Sequence, residues 1–163
     1  MMETSVGCGA VVEKIDGPFH KYMTSAPACW ARYGELLGVL AVDPGATATR
    51  VLCVDTYATQ HPGTPGPQAI QSVGVHLLNM YGYLVRKRPV AIPQALGFNE
   101  HKGAFHWLQP PSFASSRTVF NVPFDAPAAE IAIAARAWAE SVWQAWSPHH
   151  AQVVEWYSRY TGA

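Results

Sequence analysis

The chain has 163 residues, of which 49% are hydrophobic, and this is enough for one domain with a core of its own. Lys and Arg together number 11, as do Asp and Glu, so the formal net charge is zero, and charged residues make up only 13% against about 25% in an average domain. This balance argues against a nucleic-acid binder with a basic surface and against a disordered acidic tail.

Targeting signals and disulfides are not indicated either. The longest near-apolar stretches fall short of the roughly 18 clean residues that a membrane span needs. The N-terminus has no basic region followed by an apolar run, so we expect no signal peptide and a cytoplasmic location. Cys8, Cys29 and Cys53 are odd in number and far apart, which predicts reduced thiols rather than a disulfide framework.

The first half of the chain is predicted to be helical after an irregular or hairpin-like arm over residues 1–24. Pro27 suits a first helical turn after a Ser25 cap, and Asp43-Pro44-Gly45 stops that helix, which gives a helix over 27–41. A second helix, capped by Thr47, ends at Gln60 because the next residue precedes a proline. A third helix is predicted over 68–86.

The second half is predicted to hold a long loop and two further helices. Residues 89–126 contain five prolines, with one short helix near 93–101 and the only strand candidate at 118–122. Loops of this length are usually functional, so we expect this one to cover a site. Helices follow over 127–146 and from the Ser147-Pro148 start signal onward.

The predicted fold is therefore all-α, a compact bundle of four to five helices in one domain. Its parts are the arm (1–24), three helices (25–86), a long Pro-rich loop or lid (87–126) and two C-terminal helices (127–161).

Histidines at helix ends and along one helix stripe are the best candidates for chemistry. His76 follows Gln68 and Ser72 at four-residue spacing, which suggests a hydrated groove or a buried network. His149 and His150 lie in the first turn of the last helix, where the helix dipole favours neutral imidazole, although only one of them should point inward. If these elements converge, they can hold a divalent transition metal, zinc before others. The predicted metal ligands are His61, His76, His150 and Asp55.

Other candidates surround this predicted metal. The dipole at the start of the first helix should acidify the Cys29 thiol, which makes it a candidate nucleophile or a thiolate ligand in place of Asp55. We place Cys29 and Tyr57 near the open metal position as catalytic groups. By the helical period Asp55 points about 160° from Cys53 and the Tyr57 face, so only one of the two faces should meet the bundle interior. The predicted substrate-binding residues are Trp30, Trp107, Gln71 and Ser72.

Each candidate also has an ordinary structural interpretation. Asp55 can be a solvated carboxylate, His76 a core histidine, His149 and His150 surface residues and Cys29 a buried structural thiol. The leading hypothesis is a small cytoplasmic metal-dependent enzyme acting on a small apolar or aromatic molecule. The alternatives are a non-catalytic domain that binds a small ligand or a protein, and a metal-free enzyme with Cys29 as nucleophile. A homodimer is left open, and neither nucleic acid nor a membrane is expected as a partner.

Four strings resemble an uncharacterised bacterial family, a domain of unknown function: CWARYGELL at 29–37, VDTYATQHPG at 54–63, QSVGVHL at 71–77 and WQAWSPHH at 143–150. The resemblance covers nearly the whole chain and implies no particular activity. Members of that family often open with a CxxC-type pair, and here Ser5 stands in the first position with only Cys8 kept, so the arm is not expected to bind metal. A looser similarity, of fold type alone, is to DinB-like metal-binding bundles.

Overall fold

A computed structural model describes residues 1–88 and 104–162 of the chain. These residues form five α-helices and one two-stranded antiparallel sheet in which Met2 lies opposite Glu13. The all-α bundle predicted from the sequence is confirmed, and the short helix predicted near 93–101 lies outside the described residues. The elements are β1 (Met2–Thr4), β2 (Val11–Glu13), α1 (Pro27–Ala41), α2 (Thr47–Gln60), α3 (Pro67–Met80), α4 (Ala128–Ala145) and α5 (His150–Thr161).

The helix bounds follow the proline signals, but the predicted side-chain caps are wrong. Pro27 occupies the first turn of α1 with no side-chain cap, and Ser25 instead accepts a hydrogen bond from the Tyr57 hydroxyl at 2.8 Å. Thr47 is the first residue of α2, and its hydroxyl donates to the Pro44 carbonyl at 3.0 Å. Proline fixes the starting φ without needing a cap, so the bounds hold even though the caps do not.

Two irregular stretches differ from prediction. The third helix leaves α geometry after Met80 and continues as a wider π-helical turn over Tyr81–Val85. The strand candidate near 118–122 is a short 3-10 turn, Val119–Asn121, because the Thr118 side chain caps it and the Asn121 side chain bonds back to the Thr118 backbone.

Helix α2 lies at the centre of the bundle, packed against α1, α3 and α4. Two indole N–H groups from the α4 end bind its last turn, Trp138 to the Gln60 side-chain oxygen at 2.9 Å and Trp146 to the Thr59 carbonyl at 3.1 Å. Asp55 and Tyr57 are therefore both fully buried, and the expectation that only one of their faces meets the interior is wrong. None of the helices in 1–88 and 104–162 is long and apolar enough to cross a membrane.

Candidate metal centre

The N-terminal hairpin brings Cys8 against the end of α2. Its turn is closed by hydrogen bonds from the Ser5 backbone N–H to the Ala10 carbonyl at 2.8 Å and from the Gly9 N–H to the Ser5 carbonyl at 3.0 Å. Gly7 has a φ of +90°, and a Cβ built there would lie 2.4 Å from the Gln60 carbonyl oxygen. A glycine is thus required where the hairpin touches α2.

Cys8, Cys29 and His61 form the one group of three or more close His, Cys, Asp or Glu side chains within residues 1–88 and 104–162, with ligand atoms all within 4.8 Å of one another. The two Sγ atoms are 3.9 Å apart, and Cys29 Sγ is 3.7 Å from His61 Nε2. Tetrahedral zinc with bonds of about 2.3 Å to sulfur and about 2.0–2.1 Å to nitrogen puts its ligands about 3.8 Å (S to S) and 3.6 Å (S to N) apart. The observed separations fit that geometry.

His61 presents the ring nitrogen that a metal needs. Its Nδ1 lies 2.9 Å from the Tyr57 backbone carbonyl, which can only accept, so Nδ1 carries a hydrogen and Nε2 is the nitrogen left to face the thiols or a metal. The ring also stacks on the Tyr57 ring at a centroid distance of 4.0 Å. A metal-bound histidine is commonly oriented through such a bond from its other nitrogen.

The pKa values of the Cys8 and Cys29 thiols are shifted in opposite directions. The hydrogen bond from Cys29 lowers the pKa of Cys8 to about 4, with help from His61 and the Ala10 backbone N–H and against the effect of burial. The same hydrogen bond, together with burial, raises the pKa of Cys29. The helix N-terminus therefore does not acidify Cys29 as expected, because Cys8 beside it takes the negative charge. Burial raises the pKa of the remote Cys53 thiol to about 12.

Two hydroxyl groups complete the surroundings. Ser5 hydrogen-bonds the Cys29 thiol and accepts the Ala26 backbone N–H at 3.1 Å. The Tyr57 hydroxyl lies 3.4 Å from Cys29 Sγ and donates to Ser25. Burial is the main cause that raises the pKa of Tyr57, so its hydroxyl stays protonated and acts as a donor.

A cavity of about 280 Å³ adjoins His61 and the hairpin turn. The described part of the predicted lid supplies one of its walls. The lining is mostly apolar and includes Val6, Pro62, Pro110, Pro111 and Phe113. Of the three candidate ligands only His61 lines this cavity, so a small apolar molecule bound there would reach the group from the His61 side.

The predicted ligands His61, His76, His150 and Asp55 are not one site. His76 Nδ1 is bonded to Asp55 Oδ1 at 2.5 Å. His150 stacks on Trp143 at 4.0 Å, and its Nε2 lies 2.8 Å from the Trp143 carbonyl. A nitrogen that donates to a carbonyl has no lone pair for a metal, so His150 Nε2 is excluded as a ligand.

The other predicted site residues are distributed around the bundle. Trp30 packs against Tyr57, with ring centroids 5.8 Å apart, and so lies on the side of the Cys8, Cys29 and His61 group. Trp107 packs against the hydrophobic core, and Gln71 and Ser72 lie on α3, the helix of His76. The Trp138 and Trp146 indoles bind the last turn of α2 through their hydrogen bonds.

Cys8 is the group that the sequence interpretation missed. The signal that could have found it is Gly7-Cys8-Gly9, since glycines on both sides of a cysteine are typical of a tight turn. Both glycines adopt positive φ, +90° and +75°, and the turn directs the Ala10 backbone N–H at Cys8 Sγ, 3.5 Å away.

Comparison with known proteins places the chain in a family. The model of a family of unknown function, DUF5946, matches residues 3–147, a range that includes Cys8, Cys29 and His61. This confirms the resemblance to an uncharacterised family. No curated protein and no solved structure matches the chain significantly.

Proposed function

The chain belongs to the DUF5946 family of unknown function. From the geometry of the candidate site we propose that it binds zinc through Cys8 Sγ, Cys29 Sγ and His61 Nε2. The observation that carries the proposal is the agreement of the sulfur–sulfur and sulfur–nitrogen separations, 3.9 and 3.7 Å, with a zinc tetrahedron. Two sulfur donors and one imidazole favour zinc over magnesium or calcium, which prefer oxygen.

The protonation states support metal binding. Cys8 is a thiolate at neutral pH because its pKa is lowered to about 4, and thiolate is the form that binds metal. The Cys29 thiol must lose its proton when the metal enters, and the metal charge itself favours that loss. In this proposal Cys29 is a thiolate ligand, one of the two roles considered from the sequence, and not the catalytic group.

We further propose that the metal acts on a small, mostly apolar substrate. Catalytic zinc sites have three protein ligands and an open fourth position, and this group offers three, beside an apolar cavity. Zinc at such a position polarises a substrate oxygen or lowers the pKa of a bound water. Tyr57 donates its one hydroxyl hydrogen to Ser25 and lies 3.4 Å from Cys29 Sγ, so in this proposal it positions Cys29 and is not a donor to the substrate.

A structural zinc site is the second candidate. Cys8, Cys29 and His61 are at most 3% exposed, and a metal would fasten the hairpin to α1 and to the end of α2. Closed structural sites contribute folding free energy directly. A metal-free enzyme with Cys29 as nucleophile is disfavoured, because burial and the Cys8 hydrogen bond raise the pKa of that thiol.

Metal analysis of untagged protein tests the proposal. After zinc reconstitution and desalting, the wild type should hold about one zinc per chain, as expected for one three-ligand site. Cys29→Ser and His61→Ala should lose it. The matched controls Cys53→Ser and His150→Ala should keep it, because neither residue belongs to the group. Less than about 0.2 zinc per chain in the wild type, or full retention in Cys29→Ser, would contradict the proposal.

Cobalt substitution separates the catalytic from the structural candidate. With an open position, the visible absorption of the cobalt protein should change when a small thiol or azide is added, since it enters the coordination shell. A closed site should leave the spectrum unchanged. That second result would remove the catalytic part of the proposal and retain the structural site.

A further inference from the structure

A second polar cluster lies on the other side of α2, away from Cys8, Cys29 and His61. Its centre is the Asp55 carboxylate, whose side chain is 1% exposed. Three donors from the third helix and its π-helical turn contact it. Asp55 Oδ1 accepts from His76 Nδ1 at 2.5 Å and from Asn79 Nδ2 at 3.1 Å, and Asp55 Oδ2 accepts from the Tyr83 hydroxyl.

These bonds fix the orientation of the His76 ring. A carboxylate only accepts, so His76 Nδ1 carries a hydrogen, and in the neutral ring the lone pair is on Nε2. Burial and the neighbouring Asp55 charge raise the pKa of Tyr83 well above its usual value, so Tyr83 stays protonated and continues to donate. Asp55 therefore stays in place as an acceptor, and the ring cannot turn over without losing its short bond.

A free Nε2 distinguishes His76 from the two histidines at the start of α5. His149 and His150 each bind a backbone carbonyl through Nε2, as expected for residues with a packing role. The His76 side chain is 20% exposed, and within residues 1–88 and 104–162 its Nε2 contacts no hydrogen-bonding group. A histidine whose one nitrogen meets a buried carboxylate while the other is free has the arrangement of a general base.

Asn79 provides a second, independent observation. The residue is 2% exposed, and its bond to Asp55 fixes which end of the amide is nitrogen. Its Oδ1 is then a buried acceptor with no partner in the described parts of the chain. Buried polar atoms are nearly always satisfied, and exceptions are often explained by a function or by an unseen water or ligand. The cluster thus leaves two acceptors, His76 Nε2 and Asn79 Oδ1, without donors.

We propose that Asp55 and His76 form a proton-accepting site for a small molecule or water that presents O–H or N–H donors. The proton passes from the ligand to His76 Nε2, and the ligand atom keeps the electron pair and becomes the stronger nucleophile. Asp55 remains unprotonated and pairs with the imidazolium, and the proton leaves to solvent from the exposed edge of the ring. His76 is the residue that touches the ligand, and Asp55 is a positioning residue.

Modification by diethyl pyrocarbonate measures the reactivity of the His76 lone pair. The carbonyl carbon of the reagent bonds to Nε2, and carbon dioxide and ethanol are released. Peptide mass mapping of the zinc-loaded full chain follows the extent of modification of His76 and of the exposed His106 in the same sample. We expect His76 to react at least as fast as His106 although it is only 20% exposed. Slower reaction of His76 than of His106 would overturn the proposal.

The Asp55→Asn variant tests the positioning role. An amide can donate to His76 Nδ1 and so reverse the tautomer, and we expect His76 to react about tenfold more slowly while His106 is unchanged. An unchanged His76 rate would overturn the proposal. Because the buried Asp55→Asn substitution can prevent folding, nitrogen NMR of the wild type serves as a second test. A His76 Nε2 that carries no hydrogen supports the proposed site, and a His76 Nε2 that carries one refutes it.

The site is independent of the proposed zinc centre. The His76→Gln variant should show no modification by diethyl pyrocarbonate at position 76 and should keep the zinc content of the wild type. Loss of zinc in that variant would show that His76 serves the metal and would overturn the proton-accepting role.

Discussion

Gly7 is the residue at which the metal group should be most sensitive to a single added methyl group. Gly7 and Gly9 both have positive φ, +90° and +75°, so alanine at either position carries a backbone cost of about 1–2 kcal/mol. Only at Gly7 would the new Cβ meet other atoms, 2.4 Å from the Gln60 carbonyl oxygen and 3.1 Å from His61 Cδ2. At Gly9 nothing lies within 4 Å.

The difference between Gly7→Ala and Gly9→Ala isolates the contact between the hairpin and α2. Overpacking of a close contact costs about 1–3 kcal/mol, in addition to the backbone cost that both variants share. The carbonyl is backbone, so the hairpin must move instead, and Cys8 moves with it away from Cys29 and His61. We expect Gly7→Ala to bind zinc about 5- to 150-fold more weakly than Gly9→Ala, which is the same 1–3 kcal/mol expressed as affinity.

Competition for zinc with a coloured chelator measures both affinities, and urea unfolding of the zinc-loaded variants measures both stabilities. Equal zinc affinities for Gly7→Ala and Gly9→Ala would refute the reasoning, since the hairpin would then not hold Cys8 in place through this contact.

Three further predictions follow from the bonds around the same centre. Trp138→Phe removes the donor to the buried Gln60 side-chain oxygen and should lower the free energy of unfolding by about 1–3 kcal/mol, measured in urea; no loss would contradict the anchoring of α2. In the metal-free protein the pKa of Cys8 falls on folding from 9.0 to about 4, so the unfolded chain binds the extra proton between these values and stability should rise with pH from 4 to 9. Cys8→Ser should flatten this profile, and an identical slope would contradict the assignment of the thiolate. Hydrogen peroxide, which is reduced to two waters, should join Cys8 and Cys29 in a disulfide in the metal-free protein, because their sulfurs are 3.9 Å apart. Peptide mass mapping should find Cys53 unmodified, because the pKa of that thiol is raised to about 12. Oxidation of Cys53 before the other two cysteines would contradict this prediction.

The helices were predictable because their ends are marked locally. Pro27, Asp43-Pro44-Gly45 and His61-Pro62 restrict the backbone wherever the rest of the chain lies, and α1 and α2 begin and end where these residues predict. The caps were less predictable, because they depend on tertiary packing. Ser25 accepts a hydrogen bond from the Tyr57 hydroxyl and does not cap α1.

The candidate site was predictable only in part, because its members come from three separate elements. Cys29 and His61 each stood out from the sequence, but no spacing relates them to Cys8, which a hairpin turn delivers. Asp55 and His76 also stood out and do meet, as a hydrogen-bonded pair instead of two metal ligands. A local pattern indicates which residues are unusual, and it does not indicate which of them meet across a bundle.

X-ray absorption at the zinc edge of the reconstituted full chain tests the central claim most directly. The account predicts two sulfur neighbours at about 2.3 Å and nitrogen or oxygen neighbours at about 2.0–2.1 Å. A first shell of nitrogen and oxygen alone would contradict it and would place the metal away from Cys8 and Cys29.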